Sequence, residues 1–261
     1  MSRSRDRFRP ARSMVTGASS GIGAEFARVL ASRGSDLVLV ARRTDRLTAL
    51  AAELERAHGV HCRTVSHDLS EPAAGRRLRD LVPETLDLVV NNAGFAVQGP
   101  FVDNDADDLA RLVAVDVAAV VDICSAFVPY MIARGTGSVV NVASTTAFQP
   151  VPTLAVYAAA KAFVLSFTQS LWYESGRHGV RVFALAPGPT RTEFFDVIGE
   201  SAAVTGSYQS PTEVVATAMR ALDARTSRPH VISGRMNVVQ AGAASLTPAR
   251  ILLPAVARLL R

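Results

Sequence analysis

Seven short runs rich in valine and leucine recur along this chain, each followed by a longer stretch with helical spacing of its apolar residues. The runs are 12–16, 36–41, 61–66, 86–90, 137–143, 179–185 and 228–232, bounded by Gly, Asn, Asp or Pro. Helical patterns between them include 21–33, 43–58, 104–134 and 155–176. A strand that is apolar at nearly every position must be covered on both faces, and intervening helices provide that cover. The expected fold is α/β: a single doubly wound parallel sheet with helices on both faces, spanning residues 11–261. No internal repeat, low-complexity segment or linker divides it.

Half of the 261 residues are apolar, enough for a buried sheet in one domain. No uninterrupted apolar run reaches the ~18 residues of a membrane span, so no transmembrane segment is expected. Residues 1–10 form a basic leader without an apolar stretch, expected to be disordered rather than a secretory signal. Through Arg12 it carries five arginines against Asp6, or +4 of the formal +5, which places the basic excess in the leader. Such a leader could meet nucleic acid or an anionic membrane. With little aromatic interleaving beyond Phe8, a solvating role is favoured and no nucleic-acid partner is expected. Cys62 and Cys124 have no metal-ligand spacing and read as buried thiols, consistent with a reducing, cytoplasmic setting. No metal site is expected.

The first strand runs into Thr16-Gly17-Ala18-Ser19-Ser20-Gly21-Ile22-Gly23, and a helical pattern follows. Glycines there let the backbone approach a pyrophosphate, and the helix N-terminus offers free N–H groups to its charge. Thr16, Gly17, Ser19, Ser20, Gly21, Ile22 and Gly23 are therefore candidate cofactor contacts. The second strand ends at Ala41, followed by Arg42 and Arg43, whereas Asp36 opens that strand at the wrong end for a ribose contact. A guanidinium fork matches a 2′-phosphate, so the pair favours NADP(H), with NAD(H) the alternative. Asp68, next to Leu69, can accept from an adenine amino group or cap the turn before Ser70. Asn92, Ala93 and Gly94 close the fourth strand in Asn91-Asn92-Ala93-Gly94.

The chain has 27 arginines and one lysine, Lys161, four residues after Tyr157. On a helix that step stacks the phenol and the ammonium on one face, ready to exchange a proton. Ser144 lies 13 residues before Tyr157, and Pro187-Gly188 follows the sixth strand. In this order and spacing the motifs closely resemble the short-chain dehydrogenase/reductase family, in its compact branch, over roughly residues 11–232. The resemblance implies a Rossmann-type sheet and hydride transfer between a nicotinamide and a carbonyl or alcohol carbon. It implies that Tyr157 is the acid/base, that Ser144 bonds the carbonyl oxygen, and that Lys161 holds the nicotinamide ribose while lowering the tyrosine pKa. Pro187, Gly188, Thr190 and Thr192 match positions beside the carboxamide. It also implies a homodimer or homotetramer through helices 104–134 and 155–176.

The size of the lysine effect is adequate. Bringing a tyrosine from a pKa of about 10 to neutrality takes about 4 kcal/mol, and a cation about 4 Å away at a dielectric near 20 supplies about that. Asp116 stands where the family often has an asparagine that completes a water relay. It is expected to hold that water while paired with Lys161, and its charge opposes the lysine.

Phe95-Ala96-Val97, Ala147 through Val151, and Phe194, Phe195, Val197 and Ile198 are apolar segments expected near the nicotinamide. They point to a lipophilic ketone, aldehyde or ketoacyl substrate, with the loop at about 190–210 acting as a lid. The resemblance fades in the extension 233–261, where Leu252, Leu253, Val256, Leu259 and Leu260 repeat at helical spacing. Such a stretch can pack on a partner subunit, border the substrate pocket or lie on a membrane surface; Pro248 and Pro254 argue against one long helix, and packing on the domain or a second subunit is favoured. An NADP(H)-dependent carbonyl reductase is the primary expectation. An NAD-dependent alcohol dehydrogenase and a redox-inactive nucleotide-binding regulator remain as alternatives.

Overall fold

The computed structural model of the chain describes residues 7–194, 208–224 and 226–259. Residues 1–6 of the leader lie outside the described residues, as do Phe195, Val197, Ile198, Gly199 and Gly206 of the expected lid, and Leu260 and Arg261. Seven strands form one sheet in the order β3-β2-β1-β4-β5-β6-β7. They are β1 (Arg12–Thr16), β2 (Asp36–Ala41), β3 (Cys62–Ser66), β4 (Leu88–Asn91), β5 (Gly137–Val142), β6 (Val180–Ala186) and β7 (His230–Ile232). Every neighbouring pair is parallel.

Nine α-helices among the described residues connect and cover the strands. They are α1 (Gly21–Ser32), α2 (Thr44–His58), α3 (Ala74–Leu81), α4 (Ala106–Val113), α5 (Ala119–Arg134), α6 (Ala155–Gly176), α7 (Pro211–Asp223), α8 (Arg235–Leu246) and α9 (Ala249–Leu259). Strand side chains alternate between two cores. Val15, Leu37, Leu39, Leu88, Val90 and Leu185 pack with α1, α2 and α7. Met14, Val38, Val40, Val89, Val139 and Val182 pack with α3, α5 and the outer end of α6. This is the doubly wound Rossmann-type architecture, with its topological switch between β1 and β4.

The 104–134 pattern is not one uniform helix. A π turn, Ala114–Ala118, joins α4 to α5 and carries Asp116 into the interior. Contrary to the reading from apolar runs, the joined helix Ala106–Arg134 is long and apolar enough to cross a membrane, with a mean hydropathy of 2.0 over its best window. Half of that window is buried inside the fold, and α3 and α6 pack against this element. A helix used as the wall of a core passes the same compositional test as a membrane span.

The leader is ordered further back than expected. The Phe8 N–H donates to Asp223 Oδ1 at 2.8 Å, and Arg181 lies over its ring at 5.0 Å. The side chain packs on the first core. One apolar residue among arginines is enough to anchor the strand that follows. At the other end, Pro248 separates α8 from α9 as expected, but Pro254 lies inside α9 rather than ending it. Below the sheet's carboxyl edge sits a buried polar chain. Asn91 Nδ2 donates to Asn141 Oδ1 at 2.8 Å, and Asn141 Nδ2 donates to Thr168 Oγ1 at 3.0 Å. It ties β4, β5 and α6 together and was not foreseen from sequence. Cys62 and Cys124 are free and buried, their thiols pushed up to about 11 and about 12 by burial.

Candidate active site

At the carboxyl ends of β1 and β4, the backbone rather than a side chain shapes the surface. Gly17 has φ +65°, and a Cβ there would sit 2.8 Å from Asn92 Nδ2 and 2.9 Å from Ala93 Cα. A Cβ on Gly23 would lie 2.3 Å from the Gly17 carbonyl oxygen. The Thr16 hydroxyl accepts from the Asn92 and Ala93 N–H groups at 3.0 and 3.1 Å, and Asn92 Nδ2 donates to the Thr16 carbonyl. These bonds lock the glycine turn to the Asn92–Gly94 segment. The N-terminus of α1 has no side-chain cap, leaving its first N–H groups facing outward.

Above this turn lies a cavity of about 680 Å³. Gly17, Ser19, Ser20, Gly21, Ile22, Arg42, Arg43, Asp68, Leu69, Asn92, Ala93 and Gly94 line it, followed by Ser144, Tyr157, Lys161, Pro187, Gly188, Thr190 and Thr192. Thr16, Gly23 and Asp116 are the candidate residues that do not. Thr16 and Asp116 are buried, and all three act by shaping what does line it. An elongated anionic cofactor fits this surface: closely approached glycine backbone, an uncapped helix end, and arginines at one end of the cavity.

At that end Arg43 Nη2 donates to the Ser19 and Ser20 hydroxyls at 3.0 and 2.9 Å. Its Nη1 donates to Glu193 Oε2 at 2.9 Å, and Arg46 bonds the other oxygen of the same carboxylate. The two guanidinium groups hold the Glu193 carboxyl below its usual range. Glu193 was not singled out from sequence; only its place at the start of the substrate loop hinted at it. Asp68 Oδ1 accepts from the Ser70 N–H and hydroxyl, so the turn-capping reading describes that oxygen. Those bonds lower its pKa. Asp36 accepts from the His61 N–H at the opposite edge of the sheet.

At the other end, α6 carries Tyr157 and Lys161 on one face. The ammonium lies 5.5 Å from the centroid of the phenol ring. Lys161 Nζ also donates to the Val142 carbonyl at 3.3 Å and sits 2.9 Å from Asp116 Oδ2. Oδ2 has this ion-pair contact and no well-directed hydrogen bond, whereas Oδ1 accepts from the Phe95 N–H at 3.0 Å. Gly94 makes room for the pair, because a Cβ there would lie 2.9 Å from Oδ2 and 3.1 Å from Nζ.

Asp116 is fully buried and Lys161 is 5% exposed. Burial pushes the Asp116 carboxyl up, and Lys161 draws it back part of the way. Lys161 is raised despite its own burial, because Asp116 faces it. The two directions compete over one proton. With an ammonium at 2.9 Å and an N–H on the other oxygen, the ionised pair is the state this geometry favours.

Tyr157 departs from expectation. Burial pushes its hydroxyl above the ordinary value, Lys161 pulls it down, and Asp116 pushes it up again. The Ser144 hydroxyl beside the phenol also pulls it down. The net direction is upward, because burial is the largest influence and Asp116 adds to it.

The cavity continues over an apolar wall that includes Phe95, Ala96, Leu154, Phe194, Leu252 and Val256, with Phe194 tilted against Tyr157 at 5.5 Å. Part of this wall comes from α8 and α9, which sequence reasoning left unassigned. Asn237 at the start of α8 packs against Gly188, where a Cβ would meet its Nδ2 at 2.3 Å. No cluster of metal-ligating side chains occurs among the described residues.

The family model for short chain dehydrogenases matches residues 12–203. The chain is a member of the short-chain dehydrogenase/reductase family. This makes it an oxidoreductase with a nicotinamide cofactor. It is 38% identical over 210 residues to sulfoacetaldehyde reductase 2 of Chromohalobacter salexigens, covering 78% of this chain and 82% of the relative. It is 30% identical over 214 residues to the very-long-chain 3-oxoacyl-CoA reductase of Bos taurus, covering 80% and 67%. Among solved structures, a short-chain dehydrogenase from Sphingobium yanoikuyae in complex with NADPH superposes with a TM-score of 0.80 at 34% identity. That match covers 91% of this chain and 96% of the other.

Removing one partner of a buried ion pair strands the other. Asp116→Ala is expected to cost about 3–5 kcal/mol in denaturant unfolding. Adding Lys161→Met should recover part of that loss, and a strictly additive double mutant would contradict the coupling.

Proposed function

We propose that this dehydrogenase/reductase is an NADP(H)-dependent reductase of lipophilic carbonyl compounds. The observation that carries the chemistry is Tyr157, lining one cavity with Ser144 and beside a buried ammonium, at the junction of its glycine-lined and apolar halves. A reduced nicotinamide, when bound, supplies the hydride. Gly17, Ser19, Ser20, Gly21 and Ile22 would hold its pyrophosphate side, Asn92, Ala93 and Gly94 its centre, and Pro187, Gly188, Thr190 and Thr192 its carboxamide side. Asp68 and Leu69 would flank the adenine.

The Ser144 hydroxyl orients the substrate's carbonyl oxygen, and the Tyr157 hydroxyl donates its proton to that oxygen as negative charge develops. Lys161 then faces a phenolate, which its ammonium stabilises. Asp116 acts through Lys161 as a positioning residue, holding the ammonium directly in place of the expected water relay. A phenol with a raised pKa stays protonated through neutral pH, which suits the reductive direction. The apolar wall excludes water and selects a hydrocarbon-bearing ketone, aldehyde or ketoacyl group. The related 3-oxoacyl-CoA reductase name is compatible with such a substrate. A second copy of the chain suits the exposed Val113, Tyr130, Phe163 and Tyr173 on α4, α5 and α6.

Arg43 and Arg42 favour NADP(H), as does the NADPH complex of the Sphingobium relative. Glu193 bonds the Arg43 guanidinium that a 2′-phosphate would need. Arg43→Ala is expected to weaken NADPH binding at least tenfold while sparing NADH, and Glu193→Gln to tighten NADPH alone. Equal effects on both cofactors in fluorescence titrations would reject the assignment.

Tyr157→Phe should lower turnover on a panel of lipophilic carbonyls by about 10²–10⁴-fold, with cofactor affinity retained. Turnover near wild type would remove Tyr157 as the acid. Asp116→Asn deletes a negative charge that raises the phenol pKa. The alkaline limb of the reductive pH–rate profile should therefore move toward acid; an unmoved limb would separate Asp116 from the proton donor.

A further inference from the structure

The C-terminal pair of helices, α8 and α9, has two unlike faces. Its inner face, with Ala241, Ala244, Leu252 and Val256, walls the cavity. On its outer face Met236, Val238, Val239, Leu246 and Ile251 are 64%, 50%, 66%, 87% and 59% exposed. Met236, Val239 and Leu246 fall at helical spacing on one side of α8, and Gly242 lies exposed between them. Among the described residues of the two helices, the charged side chains are Arg235, Arg250 and Arg258, all exposed.

The sequence sharpens this pattern. From Ala224 to Arg261 there are six arginines and no aspartate or glutamate. The basic excess is therefore not confined to the leader. Residues 13–223 carry a net charge of −5, and the two ends of the chain outweigh it.

We propose that the outer face of α8 and α9 docks on an anionic lipid bilayer. Apolar side chains of this size, flanked by arginines, suit the boundary between acyl chains and phosphate headgroups. The hydrocarbon is buried there, while the guanidinium groups reach the phosphates. A two-fold contact with a second copy would set these arginines against themselves, with no acidic side chain in the segment to answer them. A nucleic-acid backbone would leave the exposed hydrocarbon between the arginines uncovered. The proposal does not depend on which carbonyl compound the enzyme reduces.

The test is co-sedimentation of the full chain with vesicles of phosphatidylcholine alone, and with vesicles in which phosphatidylglycerol replaces part of it. Three arginines at an anionic surface predict roughly 100-fold stronger partitioning to the mixed vesicles, weakening with salt. Met236→Ser with Leu246→Ser, and separately Arg250→Glu with Arg258→Glu, should each lower it at least tenfold. The leader stays intact in both variants, so its arginines cannot account for the loss. Thermal unfolding of each variant, unchanged from wild type, certifies the fold. Absence of partitioning, or partitioning that both double variants retain, overturns the proposal. So does patch-dependent assembly in sedimentation velocity with no lipid effect, which assigns the face to contact between copies.

Discussion

A lysine ammonium cannot leave water without a partner, and in this chain the partner is a carboxylate with no exposure of its own. The contact between Asp116 and Lys161 sets the position of the one lysine, and through it the electrostatics around Tyr157. It also constrains the backbone nearby. Gly94 must lack a side chain for the pair to fit, and the Phe95 N–H is committed to the other carboxylate oxygen. Four segments, from β4's end, the π turn, β5's end and α6, therefore meet at one charged contact. Such a pair adds little net stability compared with apolar packing, but breaking half of it is costly. Its value is in holding a charge at a fixed place.

Burial, with this carboxylate adding to it, explains why a nearby cation does not by itself acidify the phenol. A lone ammonium has the right magnitude to bring a tyrosine toward neutrality. Here the cost of burying a phenolate outweighs the ammonium, and Asp116 acts in the same sense as burial. The residual effect is a protonated donor held beside Ser144, which favours giving a proton over taking one.

Much of this was legible from residue order. Strand periodicity located all seven strands to within about two residues, because central strands such as β4 and β5 are buried at every position and even the partly buried edge strands β3 and β7 are bounded by turn formers. The glycine turn, the Ser144–Tyr157–Lys161 spacing and the arginines after β2 were legible because local backbone geometry leaves a local signature. What escaped depends on contacts between distant segments. The Glu193 bridge spans 150 residues from Arg43, and the Asn91–Asn141–Thr168 chain joins three elements through polar side chains that resemble turn formers in sequence. The direction of the Tyr157 shift was missed because it depends chiefly on how deeply the folded chain buries the phenol, which no spacing rule supplies. The C-terminal wall of the cavity was legible only as one of several placements for an apolar stretch, because Leu252 and Val256 carry no mark that tells a pocket wall from an interface.

The π turn at Ala114–Ala118 amounts to one extra residue inserted into an otherwise regular helix. Each residue of an α-helix advances the azimuth by about 100°. The wide turn absorbs that advance locally, so α4 and α5 keep their faces on either side of it. Excising a single position would let the two fuse into an unbroken rod with those faces unchanged, and would remove the bulge that carries the Asp116 carboxylate inward. Chain length at this point thus sets the aim of one side chain, and a one-residue deletion here is a change of aim rather than a shortening.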